Sequence, residues 1–514
     1  MFRKNSLFKD TNIMSLVKKI TRKIFRLVEN REKRFLHNTS IEVLKYVITN
    51  KSLPLWVKLY FIIISGLVVF VAVNLAVGIY NKWENTPVII GISSHMTTIN
   101  SIPFPAITIC NMNQAKKSKV EHLVPGSIEY AMLQKTCYRE TNYTSFKNLQ
   151  QKNETFTNFI VNISEKCENL IVSCMFHQQK IPCTDIFREI FVDEGLCCIF
   201  NLLHPYYLYK FRSPYVRDYT SLERFSDIAV DWDPMSGYPK RLPSRYYPRP
   251  GVGAGSSMGL QIILNGHVDD YYCSSTNGLG FKVLLYNPID QPRLKESGLP
   301  VMLGRQTTFR IIARSFEASP NIRHIQRSKR QCIFSDEQKL LFYRYYTRRN
   351  CESECDALFF LRLCDCIPYY LPLVYPNASI CDVDRFQCLN NAELEVFDVE
   401  SSQCKELCLP SCHDLIFYPD SFTTPFSKAN FRTRSDYLKN LSSEYIRKNL
   451  AVVHFFHTEN YFRSNVRSSY TGSTEYMAQT GGLMSLMIGF SVIFIAEIIY
   501  VILFILSMII FIMF

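Results

Sequence analysis

Much that would mark a function is missing from this 514-residue chain. It has no glycine-rich phosphate loop, no HExxH pair and no dinucleotide fingerprint, so no sequence motif points to nucleotide or zinc-dependent catalysis. Only 20% of residues are charged while 47% are hydrophobic, which excludes a disordered chain. Long apolar runs are scarce: there are two, where a polytopic membrane protein would carry many. No internal repeat is visible. Cysteine is absent from the first 109 and the last 102 residues, and all 18 cysteines lie between Cys110 and Cys412. The length allows about three or four domains of ~150 residues, enough for a sizeable core.

The first apolar run, Leu59–Tyr80, has 22 residues and no charge; the second, Leu483–Phe514, has 32 residues and one charge, Glu497. About 20 apolar residues cross a bilayer as a helix, so both runs read as spans. The second is too long for one straight crossing, since at ~1.5 Å per residue it reaches about 48 Å against a hydrocarbon core of ~30 Å. It must tilt, protrude or break, and Gly481, Gly482, Gly489 and Ser491 are its weak points. The chain stops at Phe514, so either no cytosolic tail follows or the sequence is a fragment.

Charge gives the orientation. Residues 1–58 carry 14 Lys and Arg against 4 Asp and Glu, a net of +10, leaving +3 for the other 456 residues. The positive-inside rule then puts the N-terminus in the cytosol, residues 81–482 outside, and the far end back inside. Basicity beside an apolar run is not a nucleic-acid footprint. The cysteines agree with this topology, because disulfides persist outside the cytosol. Five N-x-[ST] sequons, at Asn142, Asn153, Asn162, Asn377 and Asn440, fall in the same segment. Asn38 and Asn50 also match but lie on the cytosolic side and should stay bare. No cleavable signal opens the chain, so the first run acts as an uncleaved anchor. Residues 13–28 alternate apolar and basic faces, which suits either a helix on the anionic inner leaflet or a solvated basic helix.

Between the runs the pattern is α+β. Strands are expected at Leu260–Leu264, Lys282–Tyr286, Thr308–Ala313 and Val452–Phe456, and residues 333–370 read as more helical. Gly255-Ser-Ser257-Met-Gly259 matches a GxSxG elbow, but it ends a Pro/Gly/Ser loop from Pro243 to Met258 and runs into a strand, so a flexible loop is the better reading. Cys404, Cys408 and Cys412 recur every four residues beside the pair Cys364 and Cys366; in an oxidising compartment these read as disulfides, not a zinc site. Arg327-Ser-Lys-Arg330 has the form of a basic processing site but adjoins Cys332, which favours its being held in structure. Glu497 is an expensive residue inside a span, and it faces either a water path or a partner helix. With Gly489-Phe490-Ser491 nearby, a pore is the reading preferred over a structural bond.

Several segments then resemble one family from end to end. Phe104-Pro-Ala-Ile-Thr-Ile-Cys110-Asn111-Met-Asn113 is similar to the FPAVTICN segment of the epithelial sodium channel/degenerin family, and Gly195-Leu-Cys197-Cys198-Ile-Phe200-Asn201 resembles its GxCYTFN motif. Gly280–Pro288 with Pro292 looks like its palm strand. Arg330-Gln-Cys332, Cys351-Glu-Ser-Glu354-Cys355, Cys364-Asp-Cys366-Ile-Pro368 and Cys408-Leu-Pro-Ser-Cys412 resemble its thumb. The likeness is strongest to the insect pickpocket branch. It implies a membrane protein with two transmembrane helices flanking a large disulfide-rich α+β extracellular domain. The expected organisation is a cytosolic segment at 1–58, spans at 59–80 and 483–514, and the cysteine-rich domain at 81–482.

The resemblance implies pairings and roles. Cys332 pairs with Cys412, Cys351 with Cys408, Cys355 with Cys404, Cys364 with Cys388, Cys366 with Cys381, Cys110 with Cys197 and Cys174 with Cys183. Cys137, Cys167, Cys198 and Cys273 are left with three possible connectivities. Gly489-Phe490-Ser491 matches the selectivity filter, Glu497 the acidic residue after it, and Ala478, just before Gly481-Gly482, the degenerin position, where bulky residues hold such channels open. The function implied is a sodium-permeable, amiloride-sensitive cation channel in the plasma membrane, not an enzyme. It would be a homo- or hetero-trimer with related subunits in membrane lipid, without a cofactor, gated by an extracellular stimulus that the sequence does not name. The region from Tyr138 to Lys180 corresponds to the variable outer part, where stimulus specificity is expected. One departure stands out: Glu42-Val43 occupies the place of the family's His-Gly pair, which changes the local backbone freedom and points to a partner in a heteromer over a lone gated subunit. The alternative to a channel is a non-conducting cell-surface receptor or modulatory subunit that keeps the fold. An ATP-gated two-span channel would need a basic nucleotide site and a different cysteine pattern.

Overall fold

Helix α1 (Leu55–Asn85) is apolar along most of its 31 residues, and Ala72 is the one residue in it that is buried. A core helix of a soluble protein would be mostly covered; this one is not. In the computed structural model it is the one helix among the described residues long and apolar enough to cross a membrane. It outruns the apolar stretch at both ends because backbone bonding begins at Pro54 O, which accepts from Val57 N–H at 3.1 Å, and continues as far as Thr86, whose N–H and hydroxyl both reach Lys82 O, at 3.0 and 2.8 Å. The structure describes residues 54–138, 155–211, 227–395, 400–426, 436–439, 441–470 and 472–489, and beyond these 491, 495–496, 499–500, 502–503 and 506. The basic 13–28 segment and the Glu42-Val43 position lie outside them.

The contacts divide the chain into two compact units, Met1–Pro87 with Ser469–Phe514, and Val88–Ser468. The second unit is built on two sheets. In chain order its strands are β1 (Val88–Thr98), β2 (Ala106–Asn111), β3 (Asn113–Lys116), β4 (Ile171–Phe176), β5 (Gln179–Ile181), β6 (Phe187–Val192) and β7 (Gly195–Phe200). Then come β8 (Ile228–Ala229), β9 (Tyr246–Tyr247), β10 (Leu260–Asn265), β11 (Tyr271–Ser274), β12 (Gly280–Tyr286), β13 (Leu299–Met302) and β14 (Arg305–Ala318). The last are β15 (Asp414–Pro425), β16 (Leu450–His457) and β17 (Tyr461–Ser469). The larger sheet has the order β1-β17-β14-β16-β10-β4-β5, with β15 paired to β14; the smaller is β13-β12-β2-β7-β6. Each of the four strands expected from the sequence lies inside an observed one.

The long strand β14 organises the larger sheet. It runs antiparallel to β15 from Arg305↔Pro425 to Phe316↔Asp414, and parallel to both β16 and β17. Phe309 of β14 stacks on Phe455 of β16, centroids 5.1 Å apart. In the smaller sheet all six residues of β2 are buried, so the middle of the Phe104–Asn113 segment is a core strand between β12 and β7. Gly259 ends the GxSxG string for a packing reason: a Cβ there would fall 1.9 Å from Phe455 O, because β10 lies directly against β16. The string is a turn leading into a sheet, with no elbow.

Of the helices, α2 (Ile128–Tyr138) and α3 (Phe156–Ile163) pack on strands, while α4 (Arg348–Cys364) packs on α5 (Phe386–Glu395) and α6 (Glu400–Leu407). Of the helical stretch expected at 333–370, only α4 forms. Thr347 starts it by accepting from Asn350 N–H at 3.1 Å, and Asp365 ends it in the left-handed region. In the first unit, α7 (Ser473–Ile488) packs along α1.

Candidate functional site

On α4, Cys351 and Cys355 are one turn apart and share a face; Cys404 of α6 and Cys408 just after it have the same spacing. Two such faces in contact give rungs, and the structure has Cys351–Cys408 and Cys355–Cys404. Cys332–Cys412 lies below them, and Cys364–Cys388 with Cys366–Cys381 beyond. Cys110–Cys197 and Cys174–Cys183 are also bonded. The structure therefore brings together each of the seven pairs implied by the resemblance. The sulfurs of Cys351, Cys355 and Cys408 crowd within 4.8 Å as metal ligands would, but each is spent in a disulfide and none is a thiolate.

The four remaining cysteines form Cys137–Cys273 and Cys167–Cys198. A usable signal was present in the sequence. Cys197 and Cys198 are consecutive in β7, so their side chains point to opposite faces. Cys197 turns with Cys110 into one core cluster, while Cys198 turns into the other, toward Cys167.

Glu354 of the Cys351–Cys355 motif has a distinct task. Its buried carboxylate accepts from the backbone N–H groups of Leu341, Phe342 and Tyr343, at 2.7, 2.7 and 3.1 Å. Burial raises its pKa, and the three amides oppose that rise. Those amides are therefore not free for a helix, which accounts for the irregular chain before α4. Asn350, fully buried, accepts from Gln291 N–H at 2.9 Å and donates to Ile289 O at 2.8 Å, joining α4 to the segment after β12. At the start of β15, burial first and the charge of Asp290 second push the Asp414 carboxyl up to about 7; burial raises Asp290 as well.

Arg330 of the basic string is 3% exposed. Its guanidinium donates to Cys332 O at 2.8 Å and Arg323 O at 3.1 Å, and pairs with Glu337. A protease cannot read it there. Of the sequons, Asn162 is exposed on α3 and Asn377 is exposed in a turn; Asn142, Asn153 and Asn440 lie outside the described residues.

The second apolar run starts inside α7. Gly481 and Gly482 sit within that helix, and Ala478 before them is exposed. The break comes at Gly489, which has φ 68° and caps the helix, donating its N–H to Ser485 O at 3.0 Å. A left-handed residue at this place is what glycine supplies at least cost. Ser491 follows, and Ile495 N–H meets Ser491 O at 3.3 Å as turning resumes. Phe490 and Glu497 lie outside the described residues. Two aromatic residues that sequence reasoning missed join the helices: Trp83 of α1 stacks on Tyr476 of α7, centroids 5.1 Å apart. No local pattern signals a contact between residues so distant in sequence.

An exposed apolar helix joined to a domain with nine disulfides defines a membrane protein with an extracellular-type domain. Residues 35–501 match the family model described as amiloride-sensitive sodium channel. The chain belongs to that family, whose members are ion channels and not enzymes, conducting Na+ without a cofactor. It is 35% identical over 474 residues to Pickpocket protein 28 of Drosophila melanogaster, covering 91% of this chain and 77% of that protein. It is 22% identical over 488 residues to the sodium channel protein Nach of the same fly, covering 91% and 85%. It is 23% identical over 444 residues to human acid-sensing ion channel 2, covering 78% and 74%. A proton-activated chloride channel solved by cryo-EM overlaps 86% of this chain and 97% of its own at a TM-score of 0.26 and 7% identity, a likeness too remote to carry an argument.

Proposed function

We propose that this chain is a subunit of a trimeric, sodium-permeable, amiloride-sensitive cation channel of the plasma membrane. It crosses the bilayer twice, keeps its N-terminus in the cytosol, and passes Na+ down its gradient in response to an extracellular stimulus. The observation that carries this reading is the end of α7 at Gly489, the first residue of Gly489-Phe490-Ser491. A helix that stops inside an apolar run leaves its last backbone carbonyls without intrahelical partners. Around a threefold axis such groups replace the water shell of a small cation, and a ring of three Glu497 carboxylates would favour cations and disfavour anions. Ala478 has a side chain small enough to let the gate close. Sugars on Asn142, Asn153, Asn162, Asn377 and Asn440 would clothe the outer surface.

Expression in oocytes, alone and with related subunits, tests this. The expected result is a cation current that amiloride blocks and that Ser491→Ala or Glu497→Gln alters in selectivity. Surface protein without current in any combination would favour the non-conducting receptor instead.

A further inference from the structure

Three contacts within one unit of the fold join the end of α1 and the segment just after it to the start of α7 and the segment just before it. Trp83 lies on Tyr476 with rings 5.1 Å apart and 30° from parallel. Lys82 Nζ sits 4.6 Å from the centre of the Tyr470 ring. Tyr470 N–H donates to Pro87 O at 2.8 Å. The Trp83–Tyr476 geometry is the offset-stacked kind that attracts beyond mere burial. Thr480, one turn on, locks the local backbone by donating its hydroxyl to Tyr476 O at 2.8 Å.

Helix geometry then decides what this contact governs. Each residue turns the helix by ~100°, so with Tyr476 facing α1, Ala478 is rotated by about 200° and points away. Gly481 and Gly482 follow at about 140° and 240°, on the same averted side. Their surroundings agree: Ala478 is exposed, and a Cβ built on either glycine meets nothing within 4 Å. We propose that Trp83 and Tyr476 are positioning residues that set the rotation of α7 about its own axis, and so hold the Ala478–Gly481–Gly482 face where a gate requires it. The pair touches no ion. It acts through Ala478. This inference rests on the channel reading above.

Two experiments on the full chain separate the clamp from that reading. All 18 native cysteines are bonded in pairs, so Trp83→Cys with Tyr476→Cys would supply the free thiols. A short bifunctional thiol reagent on surface protein should join the two positions within one chain, and should not join Trp83→Cys to Ala478→Cys. Equal yields for the two pairs overturn the geometry whether or not the channel conducts. In the second experiment, Trp83→Ala and Tyr476→Ala are each expected to change the open-to-closed ratio of surface channels by about 2- to 12-fold, the range for one aromatic pair. The double variant should do no more than either single one, and Trp83→Phe should restore most of the effect. Additive effects of the two singles overturn the clamp. A wild type that carries no current alone or with any related subunit, with the cross-link formed, overturns the channel reading and leaves standing only the packing of Trp83 on Tyr476, without its gating role.

Discussion

Cys355 Sγ lies 3.7 Å from Cys408 Sγ, although each is bonded to another partner. The two rungs between α4 and α6 therefore touch, and the helices are stapled twice within a single turn. Such staples restrict local opening and let the pair move as one lever.

Removal of one rung should have a cost beyond that rung. Cys351→Ala leaves Cys408 as a lone thiol beside the intact Cys355–Cys404 bridge, where exchange can scramble the pairing. Surface biotinylation is expected to show at least a several-fold loss of mature protein. The double variant Cys351→Ala with Cys408→Ala, which leaves no odd thiol, should recover part of it. Normal surface levels of the single variant would count against this account.

Glu354→Ala should weaken the fold strongly. It leaves the amides of Leu341, Phe342 and Tyr343 without their acceptor, and each buried amide so orphaned costs about 1–3 kcal/mol. Glu354→Gln keeps the shape and one oxygen and should cost less. Thermal melting of the purified protein ranks the two; equal losses would show that charge matters more than the three bonds.

Asp414 gives a pH dependence whose sign is fixed. Its pKa in the folded state is raised from 3.8 to about 7, so folding favours the protonated form. The resulting stability is fully present below pH about 4 and is lost as pH rises toward 7. Asp414→Asn is therefore expected to melt a few degrees higher than the wild type at pH 8 and no higher at pH 4. A difference that is the same at both pH values would remove the carboxyl pair from the explanation.

Ala478→Val should hold the channel open. The residue is exposed on α7, away from α1, and a β-branched side chain adds bulk where close approach is needed. A standing cation current that amiloride blocks is the expected outcome. A silent variant that reaches the surface in normal amount would dissociate this position from the gate.

Strands were legible where β-branched and aromatic residues sit between turns, as at Val452–Phe456, because burial on a pleated surface selects such residues. The glycine-rich string before β10 was legible as a loop from its context. The residues before α4 were not, since helical composition there loses to Glu354, which takes the amides a helix would need. Cys137–Cys273 and Cys167–Cys198 stayed open because pairing depends on faces and distances that spacing alone does not encode. Trp83 and Tyr476 belong to different ends of the chain, and only the folded helices bring them together.

Arg330 carries one further consequence. Its basic string has the composition that secretory endoproteases cut, yet its guanidinium is enclosed next to Cys332, and Cys332 is closed onto Cys412. Until that bridge forms, the string is held only by non-covalent contacts, the hydrogen bonds and ion pair of Arg330 chief among them. A chain cut after Arg330 is thus a record of late or failed bridging, and the proportion of cut chains leaving a cell would serve as an internal gauge of how faithfully the domain was assembled.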